Sequence, residues 1–269
     1  MTAVPGAGPV LGLDDDAFLE HVADALHGVP GVRGVALGGS RAQGVQRPDS
    51  DWDVAVYYRA AFDPDGLRAL GWPGVLSPRG GWGRIFDGGG ALHVDGRTVD
   101  VHYRDLDAIE AVHEEAVAGR LAVERLLFHP AGLPSTILLA EVGVNRALRG
   151  EVPSWGYPPA LREAAPGVWW GDAAMTLHYA REGHARHGRV AQCAGLLAEA
   201  ASMAAHAVLA HRGEWITNEK QLLTRAGLRG VDAVVARIGS EPADLLRAVD
   251  DGEALLRDAA RREGMTVAG

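Results

Sequence analysis

A glycine-rich turn followed by two aspartates constrains this chain more than any other feature of its sequence. Residues 37–44 read LGGSRAQG and residues 50–54 read SDWDV. Alternate side chains of a strand share one face, so a strand over residues 51–58 would place Asp51 and Asp53 together and turn Trp52 away from them. A turn of small residues just before such a strand is suited to holding phosphate.

The two aspartates indicate a site for a metal ion and a nucleotide. Like charges this close repel each other unless a cation lies between them. Mg²⁺ takes oxygen ligands and is commonly shared between carboxylates and substrate phosphates. The alternative is an ordinary glycine turn beside a solvated acidic strand end. Either motif alone favours that alternative, but the two together favour the metal site.

A predicted hairpin brings a third carboxylate towards the first two. Residues 91–94 and 97–103 are strand-like runs on either side of Asp95 and Gly96, and an Asp-Gly pair between two such runs is typical of a tight hairpin. The second strand carries Asp100, and His102 shares its face. His102 is therefore a candidate base on geometry, although a single strand histidine is more often structural.

These motifs, in this order, resemble the nucleotidyltransferase superfamily that includes DNA polymerase beta and the aminoglycoside nucleotidyltransferases. The family pattern is Gly-Ser, a spacer, Asp-x-Asp and a third carboxylate on a later strand, which Asp100 supplies in the run TVDVHY. The resemblance covers roughly the first hundred residues. It implies that Asp100 binds a second metal ion or takes the proton of an acceptor hydroxyl, because the family uses this position in both ways.

The resemblance also implies roles for the residues of the first two motifs. Asp51 and Asp53 would hold one or two Mg²⁺ ions. Gly39 and Ser40 would bring backbone N–H groups and a hydroxyl to the β- and γ-phosphates of the nucleotide. Arg41 would add a charged clamp on the phosphates, or it would simply pair with a nearby acid.

Composition and charge restrict the partners. The chain has 269 residues, is 47% apolar and carries a net charge of −9. This charge argues against duplex DNA, which needs a basic face, and suits a cationic substrate, although ordinary solubility also explains it. The lone cysteine, Cys193, excludes an internal disulfide and fits a reducing compartment. The N-terminus does not resemble a signal peptide and no run reaches the length of a membrane span, so we expect a cytoplasmic protein.

The change in periodicity along the chain predicts two domains. Residues 1–150 are expected to form an α+β nucleotidyltransferase domain with a mixed sheet, and residues 151–269 an all-α helical bundle, with a proline-rich linker over 150–167. A loop with short strand pieces is predicted over 71–90. The predicted helices cover residues 14–26, 106–118, 121–128, 135–148, 172–186, 190–211, 218–226 and 243–262.

A catalytic domain followed by a bundle resembles the layout of the aminoglycoside nucleotidyltransferases, in which the bundle closes the cleft. The run WITNEKQLL around Lys220 resembles a bundle segment whose lysine meets the nucleotide phosphates. Thr217 or Asn218 would cap a helix and place Lys220 in its first turn. The alternative is a solvated lysine.

The leading expectation is a Mg²⁺-dependent nucleotidyltransferase. It would move a nucleoside monophosphate, with AMP from ATP as the first choice, to a hydroxyl of a small molecule such as an aminoglycoside-like antibiotic, and so act in antibiotic resistance. Two alternatives stay open. One is nucleotidylation of protein or tRNA, as in toxin–antitoxin systems, against which the fused bundle and the lack of a basic stripe count. The other is a non-catalytic nucleotide-binding module, against which the three carboxylates count.

Overall fold

The computed structural model describes residues 11–60, 62–126 and 129–266. The chain divides into two compact units, Met1–His113 with Leu138–Gly156, and Glu114–Ile137 with Tyr157–Gly269. A mixed sheet with helices in the N-terminal part, followed by a helical C-terminal region, confirms the predicted fold class. The predicted domain boundary at residue 150 stays a prediction.

Six strands form the sheet of the first unit, and two more form a hairpin in the second. The eight strands are β1 (Val32–Leu37), β2 (Trp52–Tyr58), β3 (Gly74–Leu76), β4 (Gly88–Val94), β5 (Arg97–Asp105), β6 (Val123–Leu126), β7 (His129–Pro134) and β8 (Arg146–Gly150). The large sheet has the order β3-β4-β5-β2-β1-β8, and β6 pairs with β7. Pairing in the large sheet is parallel between β2 and β5 and antiparallel between its other neighbours.

The predicted hairpin at Asp95 and Gly96 is confirmed. These residues have φ angles of 48° and 73°, and two positive φ values in succession are what a two-residue type I′ turn requires. The Asp95 carboxylate accepts the backbone N–H groups of Gly12 and Leu13, each at 2.9 Å. Asp95 therefore ties the hairpin to the start of the described chain.

Short local signals position the helices of the first unit. The Asp14 side chain accepts the Ala17 N–H at 2.9 Å and so caps the first helix. The helices in this part of the chain are α1 (Asp15–His27), α2 (Gly39–Ala42), α3 (Asp65–Arg68), α4 (Gly83–Phe86), α5 (Leu106–Val117) and α6 (Ile137–Val144).

One face of the sheet carries most of the core of the first unit. The buried side of α1 packs there against alternate residues of the central strands, and Phe18 contacts Trp52 with ring centroids 4.9 Å apart. The buried residues on this face of β2 and β5 are Trp52, Val54, Val56, Tyr58, Val99, Val101 and Tyr103. The residues between them, including Asp53 and Asp100, therefore project from the opposite face.

The second unit consists mainly of helices. They are α7 (Pro159–Tyr179), α8 (Val190–Arg212), α9 (Leu222–Arg225), α10 (Val231–Ala236) and α11 (Pro242–Arg262). A π-helical turn at Ala180–His184 and a 3-10 turn at Ala185–His187 follow α7. The central helix α8 packs against both α7 and α11.

Several predicted helix boundaries are wrong, and tertiary pairing explains most of them. Residues 123–126 form a strand because residues 129–134 pair with them; residues 127 and 128 of that prediction lie outside the described part of the chain. The helix predicted over 135–148 ends at Val144, and the chain then joins the sheet as β8. Helix α7 begins inside the predicted linker, since Pro159 suits a first turn, and Pro166 lies within the helix.

One described helix is long and apolar enough to cross a membrane, contrary to the sequence analysis. This helix is α8, whose most apolar window has a mean hydropathy of 1.5. However, 72% of that window is buried inside the protein, and alanines make up much of the buried surface. Burial of this kind is typical of the core helix of a bundle.

A buried ion pair joins β5 to α6 in the first unit. The Arg104 side chain is only 2% exposed, and its guanidinium donates two hydrogen bonds to the Glu141 carboxylate, one of them at 2.7 Å. Its remaining nitrogen donates to the carbonyls of Tyr103 at 2.7 Å and Phe86 at 3.1 Å. The charge is thus fully compensated where water does not reach it.

We predict that Glu141→Ala destabilises the protein by about 3–5 kcal/mol, because it leaves a buried guanidinium without its counter-charge. Urea unfolding of the full chain, followed by circular dichroism, measures the loss. Glu115→Ala is the matched control, because it breaks a bidentate pair with Arg120 in which both side chains are more than half exposed. Equal and small losses for both variants would contradict the prediction.

Candidate functional site

Two carboxylates lie side by side on the face of the sheet that is turned away from α1. In the parallel pairing of β2 with β5, Asp53 is aligned with Asp100, and both residues are partly buried. Asp51 directly precedes β2 and is exposed. The predicted strand therefore begins one residue later than expected, at Trp52, and the indole of Trp52 is buried on the other face.

The charges of Asp51 and Asp53 act on the third aspartate, Asp100. Burial, together with the negative charges of Asp51 and Asp53, raises the pKa of Asp100 above its usual value, and His102 opposes this shift. The Nε2 atom of His102 lies 3.7 Å from Oδ1 of Asp53. The structure thus brings the predicted carboxylates and the candidate base His102 into one cluster.

The glycine turn packs directly on Asp53. Gly38 donates its N–H to the Asp53 carbonyl at 2.8 Å, and Gly39 adopts a φ of +61°. A Cβ atom on Gly39 would stand 1.8 Å from the Asp53 carboxylate oxygen Oδ2. This glycine was expected to allow phosphate to approach the backbone, but in the structure it is the Asp53 carboxylate that lies against it.

Ser40 lies in the short helix α2, immediately after Gly39. The first N–H groups of a helix have no partner within it, so the backbone donors at the start of this turn are not used by the helix itself. The Ser40 carbonyl accepts the Val45 N–H at 3.0 Å, which closes the loop behind the turn. Ser40 itself is partly exposed. Its predicted contact with phosphate stays a prediction.

Arg41 holds the loop before β2 in place through its side-chain contacts. Its guanidinium lies 4.0 Å above the Trp52 ring and donates to the carbonyls of Ser50, at 2.8 and 3.2 Å, and Asp51, at 3.3 Å. It also pairs with Asp15 at 3.6 Å, and only 12% of its side chain is exposed. Of the two roles expected for Arg41, this geometry favours pairing with nearby groups over a phosphate clamp.

The carboxylate oxygens on this face are suitable ligands for a hard cation that also binds the substrate. No group of three or more His, Cys, Asp and Glu side chains in the described residues is arranged as a preformed metal centre. Mg²⁺ is usually held by one or two carboxylates plus substrate phosphates, so it needs no such centre. Asp53 and Asp100 supply that donor set, and their mutual repulsion favours a cation between them.

Lys220 belongs to the second unit. It is exposed, and its backbone N–H donates to Asn218 Oδ1 at 3.0 Å. The helix predicted from residue 218 begins only at Leu222, so Lys220 precedes it instead of occupying its first turn. The neighbouring Glu219 is mostly buried and lies 3.3 Å from Nε2 of His206, which anchors this turn.

A cavity in the first unit lies at a different place from the carboxylates. Its volume is about 100 Å³, and it is at the C-terminal end of β2 and β5, whereas Asp53 and Asp100 lie near the N-terminal end. Its lining residues are Tyr58, Arg79, Arg84, Ile85, Asp87, Arg104, Asp105, Ala108 and Leu138. Asp53 and Asp100 are not among the residues that line this cavity.

Sequence reasoning did not single out Trp82. The structure places this indole beside His102, with ring centroids 6.0 Å apart, on the side of β5 away from β2. The available signal was a tryptophan within a glycine-rich loop, in the run RGGWG at 79–83. Large apolar residues in such loops are often exposed for binding.

Comparison with known proteins agrees with this geometry. Residues 19–117 match the family model described as "Nucleotidyltransferase domain". The matched segment contains the glycine turn and the strands that carry Asp53 and Asp100. The match supports a nucleotidyl-transfer enzyme with a nucleotide as substrate.

The other two comparisons add less. The search of curated proteins found no match. Among solved structures, the chain is similar to a nucleotidyltransferase-like protein from Exiguobacterium sibiricum 255-15. The identity is 9%, the alignment covers 93% of this chain and 77% of that one, and the TM-score is 0.46.

We predict that Gly39→Ala weakens binding of the Mg²⁺ complex of ATP by about tenfold or more, equivalent to about 1.4 kcal/mol, because the new methyl group displaces the Asp53 carboxylate. Gly44→Ala is the matched control. Gly44 has a similar φ of +69°, but a Cβ there would meet no atom within 4 Å.

Both variants place alanine in a left-handed conformation and should lose about 1 kcal/mol of stability. Equilibrium binding and thermal unfolding, measured on both proteins, separate the two effects. Equal losses of nucleotide affinity in the two variants would mean that backbone strain, and not the contact with Asp53, is responsible.

Proposed function

We propose that this nucleotidyltransferase domain is Mg²⁺-dependent and transfers AMP from ATP to a hydroxyl group of a small molecule such as an aminoglycoside-like antibiotic. The observation that carries the proposal is the alignment of Asp53 with Asp100 on adjacent strands, with the glycine turn packed on Asp53. Two carboxylates beside a turn with free backbone donors suit a metal-bound triphosphate.

The reaction joins the acceptor oxygen to the α-phosphorus and breaks the bond from that phosphorus to the bridging oxygen of the pyrophosphate. Negative charge grows on the phosphoryl oxygens and on the leaving group, so catalysis consists mainly of positioning and charge stabilisation. Bound Mg²⁺ would supply charge neutralisation and Lewis acidity. Asp51 and Asp53 would hold it, and the N–H groups of Gly39 and Ser40, with the serine hydroxyl, would hold the β- and γ-phosphates.

Asp100 has two roles consistent with its position. It would complete the metal ligand set together with Asp53, or it would accept the proton of the acceptor hydroxyl. His102 lies beside Asp53 and would hold that carboxylate in place, in addition to being a candidate base. The phosphate contact expected for Lys220, which belongs to the second unit, stays a prediction.

The acceptor proposal rests on charge. The protein carries a net charge of −9, and three aspartates lie at the site, so the local potential favours a cationic acceptor. The buried, unpaired thiol of Cys193 is compatible with a reducing cytoplasm. A direct test is to incubate the protein with radiolabelled triphosphates and a panel of antibiotics and to measure pyrophosphate release. No release with any combination would count against the proposal.

We predict that Asp53→Asn lowers transfer by at least about a hundredfold, because a metal ion contributes several kcal/mol to such a step. Addition of EDTA to the wild type should have the same effect. Asp49→Asn is the control, since Asp49 is an exposed aspartate of the same loop that pairs only loosely with Arg47, at 3.5 Å. Near-normal turnover by Asp53→Asn would overturn the metal assignment.

We predict that Asp100→Asn lowers the single-turnover rate by about 10²–10⁴-fold, because an amide cannot accept the hydroxyl proton. The affinity for Mg²⁺-ATP, measured on the same variant, distinguishes the two roles. It stays unchanged if Asp100 is only a base, and it falls if Asp100 is also a metal ligand. If neither quantity changes, Asp100 is not the third carboxylate of the site.

A further inference from the structure

An exposed indole lies beside the carboxylate face. Trp82 keeps 40% of its surface exposed, and its ring meets that of His102 at 69°. His102 in turn lies 3.7 Å from the Asp53 carboxylate. The His102 side chain therefore lies between the indole and the Asp53 carboxylate of the proposed reaction centre.

The backbone of the sheet makes room for this ring. Gly89 on β4 is aligned with His102 on β5, and a Cβ there would stand 2.8 Å from two ring carbons of Trp82 and 2.2 Å from the Val101 carbonyl oxygen. The backbone N–H of Trp82 donates to the Asp87 carbonyl at 3.0 Å. The indole is thus held against the sheet by its own loop and by a position without a side chain.

The order of the strands decides which substrate this indole faces. Across the sheet, the glycine turn follows β1, Asp53 lies on β2, Asp100 lies on β5, and Trp82 lies beside β5 at the β4 position. In phosphoryl transfer the attacking and leaving oxygens are roughly in line. With the leaving pyrophosphate at the glycine turn, the hydroxyl arrives from the opposite side, where Asp100 and Trp82 lie.

We propose that Trp82 is the stacking surface for the acceptor and that a cationic, hydroxylated ring of the acceptor lies against its indole. The inference rests on the proposed function, because it uses the direction of transfer. The face of an indole attracts cations more strongly than any other aromatic side chain and also offers a broad apolar surface to a saturated ring. The aspartates nearby add negative potential for the charged groups of the ring.

The test compares three variants with kanamycin, streptomycin and spectinomycin as probes. Trp82→Leu keeps an apolar side chain but removes the π face, Trp82→Phe keeps a π face, and Tyr179→Ala removes an aromatic residue that is 58% exposed in the second unit. Binding of each probe is measured by calorimetry, and transfer is measured as pyrophosphate release.

We expect Trp82→Leu to weaken probe binding about 3- to 30-fold, the range of a cation–π contact, while Trp82→Phe retains most of the affinity and Tyr179→Ala all of it. KM for the acceptor should rise with kcat unchanged, since stacking holds the substrate equally before and during reaction. Affinity for Mg²⁺-ATP should not change in any of the three variants.

Each other outcome overturns the inference. Unchanged probe binding in Trp82→Leu removes the stacking role, and a selective loss of Mg²⁺-ATP affinity assigns the indole to the nucleobase instead. A wild type that binds none of the probes refutes the ligand class. A wild type that binds a probe without transferring a nucleotide refutes the proposed acceptor reaction, while the comparison of Trp82→Leu with Trp82→Phe still decides whether the ring stacks.

Discussion

The parallel pairing of β2 with β5 determines the rest of the first unit. Its register aligns Asp53 with Asp100 on one face and Val54 with Val101 on the other. The face that carries Val54 and Val101 packs against α1 and forms an apolar core. The opposite face must therefore carry the like charges of Asp53 and Asp100 next to each other. A pairing shifted by one residue would exchange the faces and bury the carboxylates in that core. Packing of the core and assembly of the site are therefore consequences of one register.

Two glycines adapt the backbone to this register. Gly39 lets the turn after β1 lie on the Asp53 carboxylate, and Gly89 lets the Trp82 ring lie on β4. Neither position has room for a Cβ atom. Glycine in a strand or a turn lowers the stability of the fold, because it loses more conformational freedom on folding than other residues. A functional surface explains why Gly39 and Gly89 nevertheless lie on the two sides of the carboxylates.

The two ends of the parallel pair are organised differently. Near the C-terminal end, Arg104 and Glu141 form a fully compensated buried ion pair that fixes α6 to the sheet. Near the N-terminal end, Asp53 has an ion-pair distance only to His102 among the described residues, and burial together with the charges of Asp51 and Asp53 raises the pKa of Asp100. One end thus has its charges paired, while the other keeps the mutual repulsion of neighbouring carboxylates.

The sequence by itself determined the features that depend on neighbouring residues. The cap at Asp14, the positive φ angles of the Asp95–Gly96 turn and the alternation along β2 and β5 follow from local sterics and hydrogen bonding, and the structure has all of them. Tertiary structure decided what depends on distant partners. The pairing of residues 123–126 as a strand, the engagement of Arg41 with Trp52 and the placement of Trp82 beside His102 each involve contacts that no local pattern encodes. A short apolar run has similar local preferences for helix and strand, and an arginine pairs equally well with a phosphate or with its own loop, so only the packed chain selects between them.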